Sequence, residues 1–188
     1  MKKHLIKVVL VETIGAINLG SVARLCKNFG VNELRLVSPR CDPNDLEARK
    51  MALKGEKILI NAIKYKSLKD AVADCPRVIA TCGRTDHGEI PLSKPELALE
   101  WALSSPSNTA IALIFGREDR GLTNKELLLA NKVLTLQASD LYPSLNLSHS
   151  VAIVLHELNR LKTNNLNPKF KSSNNPALPN QIDDFLND

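Results

Sequence analysis

Five short apolar runs, Ile6–Val11, Glu33–Val37, Arg77–Thr81, Thr109–Phe115 and Lys132–Leu136, are spaced along the chain with polar or amphipathic segments between them. Each is of strand length and rich in Val, Ile and Leu, while the intervening segments carry helical spacing, an alternation that predicts an α/β domain with a mainly parallel sheet flanked by helices. In the first interval Leu19, Val22, Ala23, Cys26 and Phe29 recur on one helical face and Gly30 supplies a left-handed residue to end it. Ser21, Arg24, Lys27 and Asn28 remain on the other side. A last helix is expected from Val151, Val154, Leu155, Leu158 and Leu161, which share one face.

A chain of 188 residues supports one well-buried core. The periodic part is read as one domain over residues 1–160. From Leu161 onward the pattern fades into a segment with seven Asn and three Pro, read as a flexible tail over 161–188 in which Ile182, Phe185 and Leu186 could form one side of a short helix.

Charge changes this picture only modestly. Lys and Arg number 25 against 20 Asp and Glu, a net +5 that permits a polyanionic partner without requiring one. With one Trp, two Tyr and four Phe, recognition by a ladder of bases stacked on aromatic rings is not expected. The most basic region runs from Arg40 to Lys69 and holds Arg49, Lys50, Lys54, Lys57, Lys64 and Lys66 as well. It reads equally as a solvated helical face or as a surface that contacts phosphates. Cys26, Cys41, Cys75 and Cys82 are scattered, with no metal-ligand spacing and no disulfide framework, so reduced thiols and no metal are expected. His149 and His156 lie seven apart on one helix face but lack a third ligand. Met-Lys-Lys-His leads straight into a strand, without a signal-peptide pattern, and no apolar run has membrane-spanning length; a cytoplasmic protein with no membrane contact is the expectation.

Three loops follow predicted strands, and in a parallel sheet such loops converge on one edge where ligands bind. In the first, Gly15 and Gly20 are spaced like the glycines of a phosphate-binding P-loop, but Ser21 and Val22 stand where that loop needs a Lys and a hydroxyl, which excludes a nucleotide triphosphate site with magnesium. The second, Phe115-Gly-Arg-Glu-Asp-Arg-Gly-Leu-Thr123, brackets four charged residues with two glycines; Thr123 and Glu126 form a capping box for the next helix. The third contains Pro143-Ser-Leu-Asn-Leu-Ser148. Taken singly, Asn18, Ser144 and Asn146 read as helix caps, Glu118 as a solvated loop carboxylate and Arg24 as a surface arginine.

Together and in this order, the three stretches resemble the motifs of the SpoU/TrmH-type RNA ribose 2′-O-methyltransferases of the SPOUT superfamily, most closely its TrmJ-like branch. Asn18-Leu-Gly-Ser-Val-Ala-Arg24 corresponds to the first motif, Leu113-Ile-Phe-Gly-Arg-Glu118 to the second and Ser144-Leu-Asn146-Leu-Ser148 to the third. The resemblance implies a C-terminal trefoil knot, a homodimer, and S-adenosylmethionine held by Thr81, Cys82 and Gly83, by Gly116, and by Leu136, Pro143, Ser144, Leu145 and Asn146. It implies that Asn18 and Arg24 face the RNA ribose, with Arg24 central to catalysis, Asn18, Ser144 and Asn146 fixing geometry, and Glu118 holding its loop and pairing with Arg24 or an arginine of the second subunit. A guanidinium stays protonated, so Arg24 fits a role shared with an RNA phosphate better than that of a simple base. The expected substrate is nucleotide 32 of the tRNA anticodon loop; ribosomal RNA or another tRNA position is the alternative, and a silent RNA-binding module the third. The helical extension that many TrmJ-like enzymes carry would begin near Asp188, where this sequence stops.

Overall fold

The computed structural model describes residues 4–31, 33–84, 87–136, 138, 139, 141 and 143–164. Among them, seven strands form one sheet: β1 (Leu5–Val11), β2 (Glu33–Val37), β3 (Ile63–Tyr65), β4 (Arg77–Thr81), β5 (Leu92–Ser93), β6 (Ala110–Phe115) and β7 (Lys132–Leu134), in the order β3-β2-β1-β6-β4-β7-β5. Every pairing is parallel. The central strand β6, Ala110-Ile-Ala-Leu-Ile-Phe115, is buried at every position, as a strand covered on both faces must be. Its two sets of alternate side chains feed two separate cores. Ile111, Leu113 and Phe115 join Leu19, Val22 and Cys26 on one side, while Ala112 and Ile114 join Val9, Val11 and Val78 on the other.

The five predicted strands are present, with three end corrections: β1 starts at Leu5 rather than Ile6, β6 starts at Ala110 rather than Thr109, and β7 stops at Leu134 rather than Leu136. The chain leaves β7 after Leu134 toward the sheet edge where the loops gather, which places Leu136 in a loop. The two additional strands, β3 and β5, are too short to carry an alternating pattern of their own. Tertiary pairing with β2 and β7 makes them strands.

Helices α1 (Ala16–Asn28), α2 (Leu46–Ala52), α3 (Glu56–Ile60), α4 (Leu68–Val72), α5 (Pro95–Leu103), α6 (Asn124–Leu127) and α7 (Leu147–Asn164) fill the connections, and a 3-10 turn at Leu53–Gly55 joins α2 to α3. As the spacing predicts, α1 buries Leu19, Val22, Ala23 and Cys26, and Gly30 has a φ of 68° just past its end. The capping box at Thr123 and Glu126 opens α6. Helix α7 buries Val151, Val154, Leu155 and Leu158 in the same core as α1. The apolar face of this last helix therefore serves the chain's own core. The helix continues through Asn164, and the expected short helix around Ile182 to Leu186 lies outside the described residues. No described helix is long and apolar enough to cross a membrane.

Charged strand residues are neutralised locally. Lys7 on β1 and Arg35 on β2 are both buried, and both reach Asp74 at 2.6 Å. The Arg35 and Lys7 bonds hold the Asp74 carboxyl far below the usual carboxylate range. This lock rivets the connection after α4 to the sheet.

Gly20 explains one of the two glycines that mimic a P-loop. A Cβ at this position would lie 2.1 Å from the Ala48 carbonyl oxygen and 2.8 Å from the Met51 Cβ, so the missing side chain is what allows α2 to lie against α1. In an ordinary helix interior Gly→Ala stabilises by up to about 1 kcal/mol. Here overpacking reverses the sign, and Gly20→Ala is expected to destabilise by about 1–3 kcal/mol. For a domain of this size that is a fall in melting temperature of about 3–10 °C by circular dichroism. An unchanged or raised melting temperature would show that the α1–α2 contact yields freely.

Candidate active site

Parallel pairing brings the three loops together. Leu10 of β1 is in register with Phe115 of β6, so the chain leaving β1 toward α1 and the chain leaving β6 toward Glu118 emerge side by side. The Glu118 carboxylate bridges them: it accepts hydrogen bonds from the Ile14 N–H (3.1 Å), the Gly15 N–H (3.0 Å) and the Asn18 Nδ2 (3.2 Å). Gly15 is the N-cap of α1, which has no side-chain cap and no acid in its first turn. Glu118 thus delivers, from the opposite loop, the acceptor that a capping-box glutamate in the third helical position would otherwise supply, together with a negative charge at the positive end of the helix dipole.

That third helical position is occupied by Asn18, whose side chain is thereby free to reach elsewhere. Its Oδ1 accepts from the Asn146 Nδ2 at 3.0 Å. The Asn146 Oδ1 in turn accepts from the Ser148 N–H and Ser148 Oγ, both at 2.8 Å, at the start of α7. Asn146 is the helix cap that its residue type suggests, and Asn18 is not one. The result is a continuous polar chain, Glu118 to Asn18 to Asn146 to α7, with one link from each motif. Both asparagine amides are oriented by it, because each has a donor and an acceptor partner that cannot be exchanged.

Beside this joint lies a cavity of about 440 Å³. Its walls are the chain after β4 (Thr81, Cys82, Gly83, Arg84), the Gly116–Gly121 loop, and Leu136 with Pro143, Ser144 and Leu145. Phe115 and Leu147 contribute apolar floor. The Gly116–Gly121 loop is a tight return in which Arg117 and Gly121 exchange backbone hydrogen bonds. A Cβ on Gly116 would sit 2.3 Å from the Gly121 carbonyl carbon, and Gly121 itself has a φ of 66°, so one glycine is needed for closeness and the other for conformation.

A model of the SpoU rRNA Methylase family matches residues 5–156. The chain belongs to this family. The tRNA (cytidine-2′-O-)-methyltransferase TrmJ of Methanocaldococcus jannaschii is 38% identical over 165 residues, covering 86% of this chain and 70% of that protein. Its namesake in Sulfolobus acidocaldarius is 40% identical over 162 residues, covering 85% of this chain and 67% of that one. Among solved structures, a probable methylase family protein from Haemophilus influenzae Rd KW20 superposes with a TM-score of 0.77 at 35% identity, over 100% of this chain and 77% of the other.

In this SpoU methylase the residues singled out from sequence fall into three places. Thr81, Cys82, Gly83, Gly116, Leu136, Pro143, Ser144 and Leu145 all line the cavity. Asn18, Glu118 and Asn146 form the joint, and Asn146 is not among the cavity-lining residues because its side chain is engaged by α7 and Asn18. Arg24 stands apart from both. It lies six residues beyond Asn18, about 9 Å along α1, is exposed, and makes no hydrogen bond or ion pair among the described residues. The pairing of Glu118 with Arg24 is absent; the carboxylate is committed to the start of α1 instead.

The pattern reading missed the ion cluster under the second motif. Arg117, 7% exposed, bonds Glu126 at 2.9 Å and also Glu12, which has a φ of 48° immediately after β1. Arg40 bonds the other oxygen of Glu12, and Arg120 lies 3.6 Å from it. The capping box hinted at Glu126, but Glu12 had no local signal because its partner is 105 residues away. The Arg117 bond, with help from Arg40, holds the Glu12 carboxyl down to about 2 against an ordinary 4.5. A depressed carboxylate contributes stability that is complete above the unfolded value and is lost as pH falls toward the folded one. Acid unfolding between pH 4.5 and about 2 should therefore be shallower in Glu12→Gln than in the parent, with a lower stability for the variant at pH 7. Parallel acid limbs in chemical-denaturation series would show that Glu12 is not held by Arg117 in solution.

Proposed function

We propose that this protein transfers a methyl group from S-adenosylmethionine to the 2′-hydroxyl of a tRNA ribose. The observation that carries the proposal is the convergence of three motif loops on one joint, with a cavity beside it walled by two of them, in a chain whose relatives bear the name tRNA 2′-O-methyltransferase. The cavity fits such a donor: its volume is within the range of small-molecule sites, its floor is apolar, and much of its wall is loop backbone able to offer N–H and C=O groups to adenosine and methionine. Thr81 to Gly83, Gly116 and Leu136 to Leu145 would hold it. The trefoil knot of this reading has the segment after β7 passing through the loop after β4, two segments that lie in contact, the Pro143 carbonyl oxygen being 3.5 Å from where a Gly83 Cβ would stand.

When bound, the sulfonium supplies a methyl group already activated toward nucleophiles. The protein's work is then alignment and help with deprotonation of a hydroxyl. The Glu118–Asn18–Asn146 chain keeps the three loops at fixed separation, and Ser144, exposed at the cavity wall two residues before Asn146, is placed to orient the ribose. Arg24, unpaired in the free chain, retains all its donors for an RNA phosphate and the reacting hydroxyl, with the phosphate as proton acceptor. Arg24 is not among the residues lining its own chain's cavity, which favours a dimer in which each subunit's Arg24 serves the other's site. Ile14 (43% exposed) just before α1, Ile17 (51%) on α1 and Ile153 (44%) on α7 provide apolar surface for that contact. Nucleotide 32 of the anticodon loop is the proposed position, and ribosomal RNA or another tRNA position is the competing target.

Methyl transfer from labelled S-adenosylmethionine to total tRNA and to ribosomal RNA, followed by nucleotide mapping, tests the assignment; label in ribosomal RNA alone would overturn the substrate. S-adenosylmethionine at about 100 times its dissociation constant should add roughly 2.7 kcal/mol of stability, visible as a raised melting temperature, whereas ATP with magnesium should add none. Stabilisation by ATP alone would sink the proposal.

Arg24→Ala should fold and bind S-adenosylmethionine like the parent, since the side chain makes no described contact, yet lose at least about 100-fold in methyl transfer; removing one charge-stabilising donor typically costs that much. Arg24→Lys should restore little, because an ammonium lacks the planar fork. Parental turnover by Arg24→Ala at saturating RNA would make Arg24 an ordinary surface arginine.

A further inference from the structure

The basic stretch from Arg40 to Lys69 separates, in the fold, into residues with partners and residues without. Arg40 is bonded to Glu12, and Arg49 to Glu56 at 2.7 Å, so both charges are spent inside the protein. Lys64 is on the edge strand β3, with Lys66 and Lys69 just beyond it. Lys64, Lys66 and Lys69 are exposed and without an ion pair among the described residues, as are Lys50, Lys54 and Lys57, and the two groups differ in where the fold places them. Lys50, Lys54 and Lys57 belong to α2, the 3-10 turn and α3, which run along α1.

The contact of the 3-10 turn with α1 is close and falls on the Ala23–Arg24 peptide. A Cβ on Gly55 would lie 2.5 Å from the Ala23 carbonyl oxygen and 2.8 Å from the Arg24 Cα, so the 3-10 turn presses bare backbone onto the helix at this residue. Leu53, at a φ of 47°, makes the bend that carries α2 into the turn, in a left-handed conformation that a leucine adopts only at a cost. Lys54 is thereby held one residue from the Arg24 backbone. Gly20, Arg24 and Lys27 are spaced four and three apart, so they share the side of α1 that faces α2 and the turn. Lys27 is exposed and, like Arg24, has no ion pair among the described residues. The acids in this region do little to neutralise them. Glu56 is taken by Arg49, Asp45 accepts from the Glu47 N–H to cap α2, and Glu47 stands exposed on α2.

We infer that Lys50, Lys54 and Lys57, continuing the positive surface of Arg24 and Lys27, form a shelf that binds the phosphate backbone of the RNA on one side of the reacting nucleotide. The inference rests on the RNA methyl-transfer reading and adds to it the path of the strand outside the cavity. Compact ammonium groups on flexible stems neutralise phosphates without reading bases, which suits a chain with few aromatic side chains for stacking. The three lysines act as positioning residues: they touch neither the cavity nor the joint, and their contribution is to hold the strand where Arg24 can meet the ribose.

The test compares the parent with Lys50→Ala/Lys54→Ala/Lys57→Ala and with Lys64→Ala/Lys66→Ala/Lys69→Ala as a control that removes equal charge from the sheet edge. tRNA affinity is measured from about 50 to about 200 mM salt, beside steady-state methyl transfer. The first variant should lose about tenfold or more in affinity, with the slope of log K against log salt reduced by about 0.7–0.9 for each lost phosphate contact. Its KM for tRNA should rise in step, while kcat at saturating RNA, S-adenosylmethionine affinity and melting temperature stay within about twofold or a degree of the parent. Replacement of the same three by Arg should keep the slope. An unchanged slope in the alanine variant, or an equal loss in the control, would overturn the shelf while leaving the enzyme assignment intact. A parent that binds S-adenosylmethionine but neither binds nor methylates any RNA would overturn the assignment and the shelf together.

Discussion

The site depends on one carboxylate placed at the start of one helix. Glu118 satisfies two backbone N–H groups that α1 cannot cap for itself and holds the amide of Asn18 at the same time. Because Asn18 is relieved of capping duty, it can accept from Asn146, and because Asn146 gives its oxygen to α7, the amide orientation of both residues follows. Three segments, two of them a hundred residues or more from Asn18 in sequence, become one joint through these hydrogen bonds. Charge–dipole attraction and hydrogen bonding act in the same direction here, and the helix end is partly shielded from water, where such interactions are strongest.

A second layer beneath the joint keeps the carboxylate in place. Arg117 precedes Glu118 in the chain and is buried between Glu12 and Glu126, so the loop cannot swing without exposing an uncompensated charge. Glu126 closes the circuit through the α6 capping box. The cavity wall formed by Gly116 to Gly121 is thus anchored from both ends. What a ligand meets is a preformed backbone surface, and ordering that backbone is a cost already met in folding.

The groups that the proposed methyl transfer would use are divided between an inner and an outer zone. The cavity and the joint are tied by internal contacts, whereas Arg24, Lys27, Lys50, Lys54 and Lys57 are exposed with no ion pair among the described residues. Such a division suits a small methyl donor held by fixed backbone and a large, flexible polyanion met by mobile cations. It also accounts for the sequence of α1, which carries both zones: its first turn is built into the joint, and its later turns present Arg24 and Lys27 beyond the close contact at Gly20 and Gly55.

Local chemistry was enough to determine much of this. Apolar runs marked five of the strands, since burial on both faces demands them, and the spacing of Leu19, Val22, Ala23 and Cys26 marked the inner face of α1. The cavity wall residues were legible through the family resemblance that the three motifs carry. Other features had no local signal. Strands β3 and β5 exist by pairing alone, and which elements meet the buried face of α7 was open until α1 and α5 were seen against it. The bonding of Glu118 to α1 rather than to Arg24, and of Glu12 to Arg117, depends on partners more than a hundred residues away. Periodicity reports which side of an element is apolar, because that is a property of neighbouring residues. Which charge meets which, and which glycine admits another helix, are decided only when distant segments are brought to within a few ångströms by the sheet.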